Sequence, residues 1–366
     1  MSNYATQLSD KQTRLTALLA PFIEQNDQQS VPPLATYPSA PEHYRQRAEF
    51  RIWHAGPDTY HIMFDQTTKA QYRVDTFAPA SELINLVMQQ LIEHIKQSPV
   101  LRHKLFQIDY LAATTNEIVV SMLYHKQLDE DWQHAIEKLH AVMSRDFKIN
   151  FIGRAKKQKI IYQQDYVTEV LTIHDKKYSF VHIENSFTQP NADINCRMIE
   201  WVATHTQSIP GDLLELYCGA GNFTIPLSDY FDRVVATEIS KTSVNAAQAN
   251  ITANNLNNCT ILRMSSEEFV SAKNKERTYR RLAGVDLDSY NFTTVLVDPP
   301  RAGLDDATIA MINQYEHIVY ISCNLETLQD NLTTLCETHE ITHTALFDQF
   351  PFTHHIESGV ILTKKR

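Results

Sequence analysis

From residue 184 onward, short apolar runs alternate with helical segments, a rhythm that points to a parallel sheet covered by helices. The runs are Leu213-Leu214-Glu215-Leu216-Tyr217, Val234-Val235-Ala236-Thr237, Thr260-Ile261-Leu262-Arg263, Thr294-Val295-Leu296-Val297 and Ile318-Val319-Tyr320-Ile321-Ser322. The helix after the second run is predicted to open at Ser240. Two last runs, around Ala345-Leu346-Phe347 and Val360-Ile361-Leu362, stand too close together for a helical crossover. They are predicted to finish the sheet as an antiparallel hairpin.

The preceding half has a different pattern. A helix is predicted over residues 11–25, followed by the connection Val31-Pro32-Pro33. From Tyr44 to Trp53 the residues alternate, with Tyr44, Ala48, Phe50 and Ile52 on one face and Arg45, Arg47, Glu49, Arg51 and Trp53 on the other. Residues 60–64 supply a partner strand, and further strands are predicted over 118–124, 166–173 and 178–183. Helices are predicted over 81–96, with Ser81 as N-cap and Leu83, Leu86, Val87 and Leu91 as the apolar stripe, and over 131–143. The expected architecture is α/β: a mixed α+β N-terminal region, 1–185, and a Rossmann-like domain with a terminal antiparallel hairpin, 186–366. A sheet finished in this way is the methyltransferase variant of that fold.

Composition removes several function classes. With 43% hydrophobic and 21% charged residues the chain reads as an ordinary globular protein. No apolar run approaches the ~18 residues of a membrane span, and the first residues lack the basic-then-apolar pattern of a secretory signal. Five scattered cysteines, without a C-x-x-C pair, suggest neither a disulfide framework nor a zinc or iron–sulfur site. A cytoplasmic protein without metal is expected. The net charge of −10 weighs against a nucleic-acid partner, but it is uneven. Residues 1–200 hold 21 Lys and Arg against 23 Asp and Glu, whereas residues 201–366 hold 12 against 20. A polyanion would meet less repulsion on the first half.

Ligands of open parallel sheets bind at the carboxyl ends of the strands, near the point where strand order reverses. Four segments fall at such ends: Cys218-Gly219-Ala220-Gly221-Asn222, Glu238, Asp298-Pro299-Pro300-Arg301 and Cys323-Asn324. Two glycines let backbone approach a ligand, and Glu238 stands where an acid takes both hydroxyls of a ribose. The third glycine of a dinucleotide fingerprint is missing; Asn222-Phe223 stands in its place, which favours adenosylmethionine over NAD.

Cys196, Cys259 and Cys336 read as core residues, since free cysteine packs as a small hydrophobe. Cys323 differs, because it ends a strand on the ligand edge. A positive neighbour and the helix opening at Leu325 are expected to favour its thiolate. One pyrimidine reaction needs such a group. A thiolate added to carbon 6 of uracil makes carbon 5 an enolate carbon able to attack a methyl group. A base must afterwards remove the carbon-5 proton. Glu357, in Phe352-Thr353-His354-His355-Ile356-Glu357-Ser358-Gly359, supports two readings, that base or a turn carboxylate. His354 and His355 as a metal pair are rejected, because neighbours on an extended segment point opposite ways. Arg45, Arg47 and Arg51 likewise support two readings, a solvated strand face or a phosphate track.

Several motifs together resemble the tRNA (uracil-5-)-methyltransferases of the bacterial TrmA type. They are Phe187-Thr188-Gln189-Pro190-Asn191, residues 215–223, Val297-Asp298-Pro299-Pro300-Arg301-Ala302-Gly303, Tyr320-Ile321-Ser322-Cys323-Asn324 and residues 355–359, with residues 44–53 and 60–65 in the first half. The resemblance implies adenosylmethionine contacts from Gln189, Tyr217, Asn222, Glu238 and Asp298. It implies Cys323 as nucleophile, Glu357 as proton acceptor and Arg301 against the target base. The implied substrate is the T-arm uridine of tRNA (position 54, giving ribothymidine), with the equivalent loop of transfer-messenger RNA as a second. A monomer is expected when free. A methyltransferase acting on a base amino group would follow Asp-Pro-Pro with an aromatic residue; here Arg301 follows.

Overall fold

The computed structural model describes residues 3–24, 32–65 and 67–366. Gln25 and Val31, at the ends of two predicted segments, lie outside them. The chain divides into two compact units, one of residues 1–39, 171–179 and 193–366, the other of residues 40–170 and 180–192.

The helix Tyr4–Ile23 begins seven residues earlier than predicted, with the Asn3 side chain accepting from Ala5 N–H as its cap. It leads to strand β1 (Ala35–Tyr37). The second unit follows. Its sheet comprises β2 (Arg47–Ala55), β3 (Asp58–Phe64), β4 (Gln71–Val74), β5 (Leu105–Ala112), β6 (Glu117–Tyr124), β7 (Lys148–Ala155) and β8 (Gln158–Tyr162), in the order β4-β3-β2-β5-β6-β7-β8. Helices Glu82–Gln97 and Glu130–Met143 pack on one face, around Phe50, Ile108, Tyr110, Trp132 and Phe151. Ser81 caps the first of these as predicted. Its buried stripe is Ile84, Val87, Met88, Leu91, Ile92 and Ile95, and Leu86 faces solvent. The predicted stripe holds at Val87 and Leu91, with Leu83 packed at its edge, and fails at Leu86 alone.

The pair β9 (Tyr166–Ile173) and β10 (Lys176–Ile183) precedes the main sheet of the first unit. That sheet contains β11 (Asp212–Leu216), β12 (Val234–Thr237), β13 (Cys259–Leu262), β14 (Phe292–Val297), β15 (His317–Ser322), β16 (His339–Phe347) and β17 (Glu357–Lys364). The order is β1-β16-β17-β15-β14-β11-β12-β13. Strands β11 to β15 run parallel, and β17 lies antiparallel between β15 and β16, as the spacing of the last two runs requires. Strand order reverses at β11, which has β12 on one side and β14 on the other. The crevice beyond these carboxyl ends is where the fold binds ligands.

The expected boundary at residue 185/186 is corrected at both ends of the first half. β1 pairs in parallel with β16 through Ala35–Ala345, Thr36–Leu346 and Tyr37–Phe347, so the N-terminus belongs to the C-terminal sheet. The helix Tyr4–Ile23 goes with it, because Leu15, Leu19 and Phe22 join that sheet's core. Its polar anchor is Lys11, whose Nζ lies 2.6 Å from Asp348 Oδ1 with both side chains almost wholly out of water. Nζ also donates to Phe350 O at 2.9 Å, and Tyr4 Oη donates to Asp348 Oδ2 at 2.8 Å. A lysine inside a polar stretch reads as surface until its partner, 337 residues away, is known.

Removing one member of a buried ion pair leaves an uncompensated charge. Lys11→Ala is expected to lower unfolding free energy by about 3 kcal/mol in urea titration, and Lys11→Met with Asp348→Leu to recover most of that loss.

Candidate active site

The loop after β11 holds a strained conformation. Tyr217 has φ +64°, Gly219 +56° and Gly221 +86°, a left-handed region that costs a side-chain-bearing residue about 1–2 kcal/mol. Tyr217 is fixed there by its hydroxyl, which donates to Ser266 Oγ at 2.7 Å. A Cβ on Gly219 would meet nothing within 4 Å, so this part of the loop borders open space. Neighbours anchor the rest: Asn222 and Asn195 exchange two amide hydrogen bonds of 2.8 Å, and Asn250 Nδ2 donates to Ala220 O at 2.9 Å.

Glu238, at the end of β12, turns towards this loop. One oxygen accepts from Gly219 N at 3.1 Å and the other from Ser240 N at 2.6 Å. Each carboxylate oxygen keeps a further lone pair, enough for a pair of ribose hydroxyls. The next residue, Ile239, is 64% exposed, an apolar surface beside the acid that suits a planar ring. Open space at Gly219, an acid with spare acceptors and an exposed apolar side chain fit a nucleoside such as that of adenosylmethionine. Sequence reading missed Ile239, Asn195 and Ser266. An apolar residue directly after a strand-end acid was the available signal for the first; the other two depend on tertiary approach.

The second half of the site lies around β15 and β17. Their register pairs Ile321 with Gly359 and Ser322 with Ser358, and Ser358 Oγ donates to Ser322 O at 3.2 Å. Cys323 and Glu357 come one residue beyond this last pair on the two facing segments, so the two candidate reactive residues sit together at the carboxyl end of β15. Gly359 is obligatory: a Cβ there would fall 2.6 Å from the Trp201 ring and 3.0 Å from Phe347. Asn324 caps the helix Leu325–Thr338 and its Nδ2 donates to Arg301 O at 2.9 Å, which holds the Asp298–Arg301 segment beside Cys323. Arg301 Nη2 lies 3.5 Å from His355 Nδ1. A depression of about 290 Å³ is lined by Arg14, Arg301, Cys323, Asn324, His354 and His355, among others. Both histidines border it because residues 351–356 form a turn instead of the extended segment assumed from sequence.

The electrostatics correct one expectation. Arg301 does pull the Cys323 thiol down, but burial pushes it up, and so do the Glu357 and Asp298 carboxylates; the result is about 11. Burial also raises Asp298 to about 7. Glu357 is raised well above the carboxylate range, first by burial and then by Asp298. Glu215, on β11 and hydrogen-bonded by the Thr224 hydroxyl, is raised by burial to about 8, with Asp298 adding to the shift. Burial and mutual repulsion thus push both the Cys323 thiol and the Glu357 carboxyl towards their protonated forms.

Other candidates fall elsewhere. Gln189 belongs to the second unit, half-buried in an irregular stretch, and its cofactor role rests on the resemblance alone. Arg45, Arg47 and Arg51 are also in that unit. They do not make one exposed row: Arg45 Nε donates to Arg47 O at 2.6 Å, and Arg47 Nη1 donates to Ser186 O at 2.6 Å. Arg51 is exposed and lies 5.5 Å from the Phe106 ring, which stacks on His125 at 3.9 Å. Among the described residues, no group of three His, Cys, Asp or Glu gathers as a metal cage.

Residues 3–365 match the tRNA (uracil-5-)-methyltransferase family. The chain belongs to this family. A tRNA/tmRNA (uracil-C(5))-methyltransferase of Pseudoalteromonas atlantica is 55% identical over 364 residues, covering 100% of this chain and 98% of the relative. Its counterpart in Pasteurella multocida is 54% identical over 366 residues with the same coverage. The crystal structure of Pyrococcus abyssi tRNA (uracil-54, C5)-methyltransferase with S-adenosyl-L-homocysteine aligns with a TM-score of 0.73 at 20% identity, over 99% of this chain and 84% of that one. That likeness shows the same methyltransferase fold.

Two outcomes test the site. Glu238→Ala is expected to weaken adenosylmethionine binding about 10- to 100-fold by calorimetry, the value of a charge-assisted pair of hydrogen bonds. Alkylation of Cys323, followed by peptide mass, is expected to accelerate only well above pH 9 in the free protein. Asp298→Asn should move that profile to lower pH and Arg301→Ala to higher pH.

Proposed function

We propose that this protein methylates carbon 5 of a uridine in the T arm of tRNA, at position 54, and in the equivalent loop of transfer-messenger RNA. It is an adenosylmethionine-dependent enzyme, and the observation that carries the residue assignments is the placement of Cys323 and Glu357 together, one residue beyond the Ser322–Ser358 pair on the two facing strands. The residues that hold the cofactor are Tyr217, Asn222, Glu238 and Asp298, with Gln189 by family resemblance. Bound there, adenosylmethionine supplies an electrophilic methyl group.

Cys323 gives up its proton to solvent water in the open depression and forms a bond from Sγ to carbon 6 of the uracil. The π electrons of the ring move toward the carbonyl at carbon 4, giving an enolate that is nucleophilic at carbon 5. Arg301 opposes the thiol's upward shift and offers a donor to the charge on the ring. After carbon 5 has taken the methyl group, Glu357, ionised by loss of its own proton to solvent water, accepts the carbon-5 proton, the carbon 6–sulfur bond breaks, and Cys323 leaves as thiolate. A carboxyl whose proton affinity is raised by burial is a stronger base for that step once ionised.

Because addition precedes proton removal, the two residues should fail at different stages. Cys323→Ala is expected to bind RNA and cofactor but lower methyl transfer by on the order of 10⁴-fold or more, without any RNA–protein adduct. Glu357→Gln should accumulate a methylated adduct that survives denaturing electrophoresis and requires both Cys323 and cofactor. Mapping the labelled methyl group in tRNA identifies the nucleotide. Near-normal methylation by Cys323→Ala would overturn the covalent route.

A further inference from the structure

Arg14 lies on the helix Tyr4–Ile23, far in sequence from every motif considered so far, yet it lines the same depression as Cys323, Arg301, His354 and His355. It is exposed, and among the described residues no ion pair or side-chain hydrogen bond engages its guanidinium. Its backbone, in contrast, is held firmly. One turn away Lys11 is buried against Asp348 and Phe350 O. Gln7 brackets the turn carrying the histidines: Nε2 donates to Thr353 O at 3.0 Å, and Oε1 accepts from Phe352 N at 2.6 Å.

Two guanidinium groups border one depression in a chain of net charge −10, a local concentration of positive charge against the overall sign. Glu326 also lines the site, so the positive field is local to the side of Arg14 and Arg301. The covalent chemistry fixes which anion is near. In an anti nucleotide, carbon 6 is the edge of the pyrimidine that faces its own 5′-phosphate. A ring held through carbon 6 on Cys323 therefore keeps that phosphate close to the same depression. We propose that Arg14 binds the phosphodiester on the 5′ side of the target uridine, so that the N-terminal helix reads the RNA backbone at the reacting nucleotide. This rests on Cys323 being the nucleophile.

The test uses the full-length protein, saturating adenosylmethionine and two T-arm RNA hairpins. One is all-phosphate, and the other carries a neutral methylphosphonate at the linkage 5′ to the target uridine. Arg14→Ala, at an exposed position, should leave the thermal midpoint unchanged. On native RNA it should lower kcat/KM roughly tenfold, chiefly through KM, and reduce the slope of log affinity against log salt by about 0.7, one phosphate contact on single-stranded RNA. The methylphosphonate should cost the unaltered protein a similar factor and cost Arg14→Ala little more. Full activity of Arg14→Ala on native RNA overturns the proposal. So do losses that simply multiply, or a loss confined to adenosylmethionine affinity, which would assign Arg14 to the cofactor. If Cys323→Ala methylates native RNA normally, or Glu357→Gln forms no adduct on it, the nucleophile assignment has failed instead.

Discussion

The antiparallel pairing of β17 with β15 is the constraint on which the site depends. Five parallel strands deliver a glycine loop, strand-end acids and Cys323 to one edge, but Glu357 comes from a strand that runs the other way. Inserting β17 between β15 and β16 brings it there, because the register Ser322–Ser358 fixes the residues that follow this pair. A one-residue slip would turn every side chain of β17 to the opposite face. Packing against slip is visible at Gly359, where the Trp201 and Phe347 rings leave no room for a side chain.

The same pairing produces an electrostatic cost. Asp298, Glu357 and Cys323 share a poorly solvated corner; Asp298 raises the proton affinity of Glu357, and both raise that of Cys323. Mutual repulsion and burial oppose the full ionisation of all three. Arg301 offsets only part of this. Ionisation in the free site is disfavoured until ligands change the local charge. For a nucleophile that must meet one base in a folded RNA, that lowers reactivity toward other electrophiles.

The parallel sheet, its hairpin and the strand-end motifs were legible in the sequence because each rests on local periodicity or on residues adjacent in the chain. Strands β11 to β17 fall where the apolar runs predicted them, within a few residues. What was not legible depends on distant approach. Nothing near Lys11 signals Asp348, nothing near Asn222 signals Asn195, and β1 is too short to reveal that it belongs to the second half of the chain. The protonation of Cys323 was misjudged for a related reason. The favourable neighbour, Arg301, is close in motif space, whereas the unfavourable one, Glu357, arrives only through strand pairing. The backbone partners of Arg45 and Arg47 were hidden by a pattern that gives their face and not their partners.

The contact between β1 and β16 also has a temporal meaning. Residues 35–37 must wait for residues 345–347 before they can pair, a separation of some 310 positions that is slow to close by chain diffusion. During synthesis the N-terminal helix emerges first, with Lys11 exposed to water and its apolar stripe uncovered. Asp348 and Glu357 are made within the last 19 residues of the 366. Burial of the lysine and completion of the reaction centre therefore both wait for the end of synthesis, and a ribosome-released fragment ending before β16 lacks both. Such a fragment has an unpaired sheet edge, an unburied helix and no catalytic pair, which marks it for removal without leaving a half-active enzyme behind.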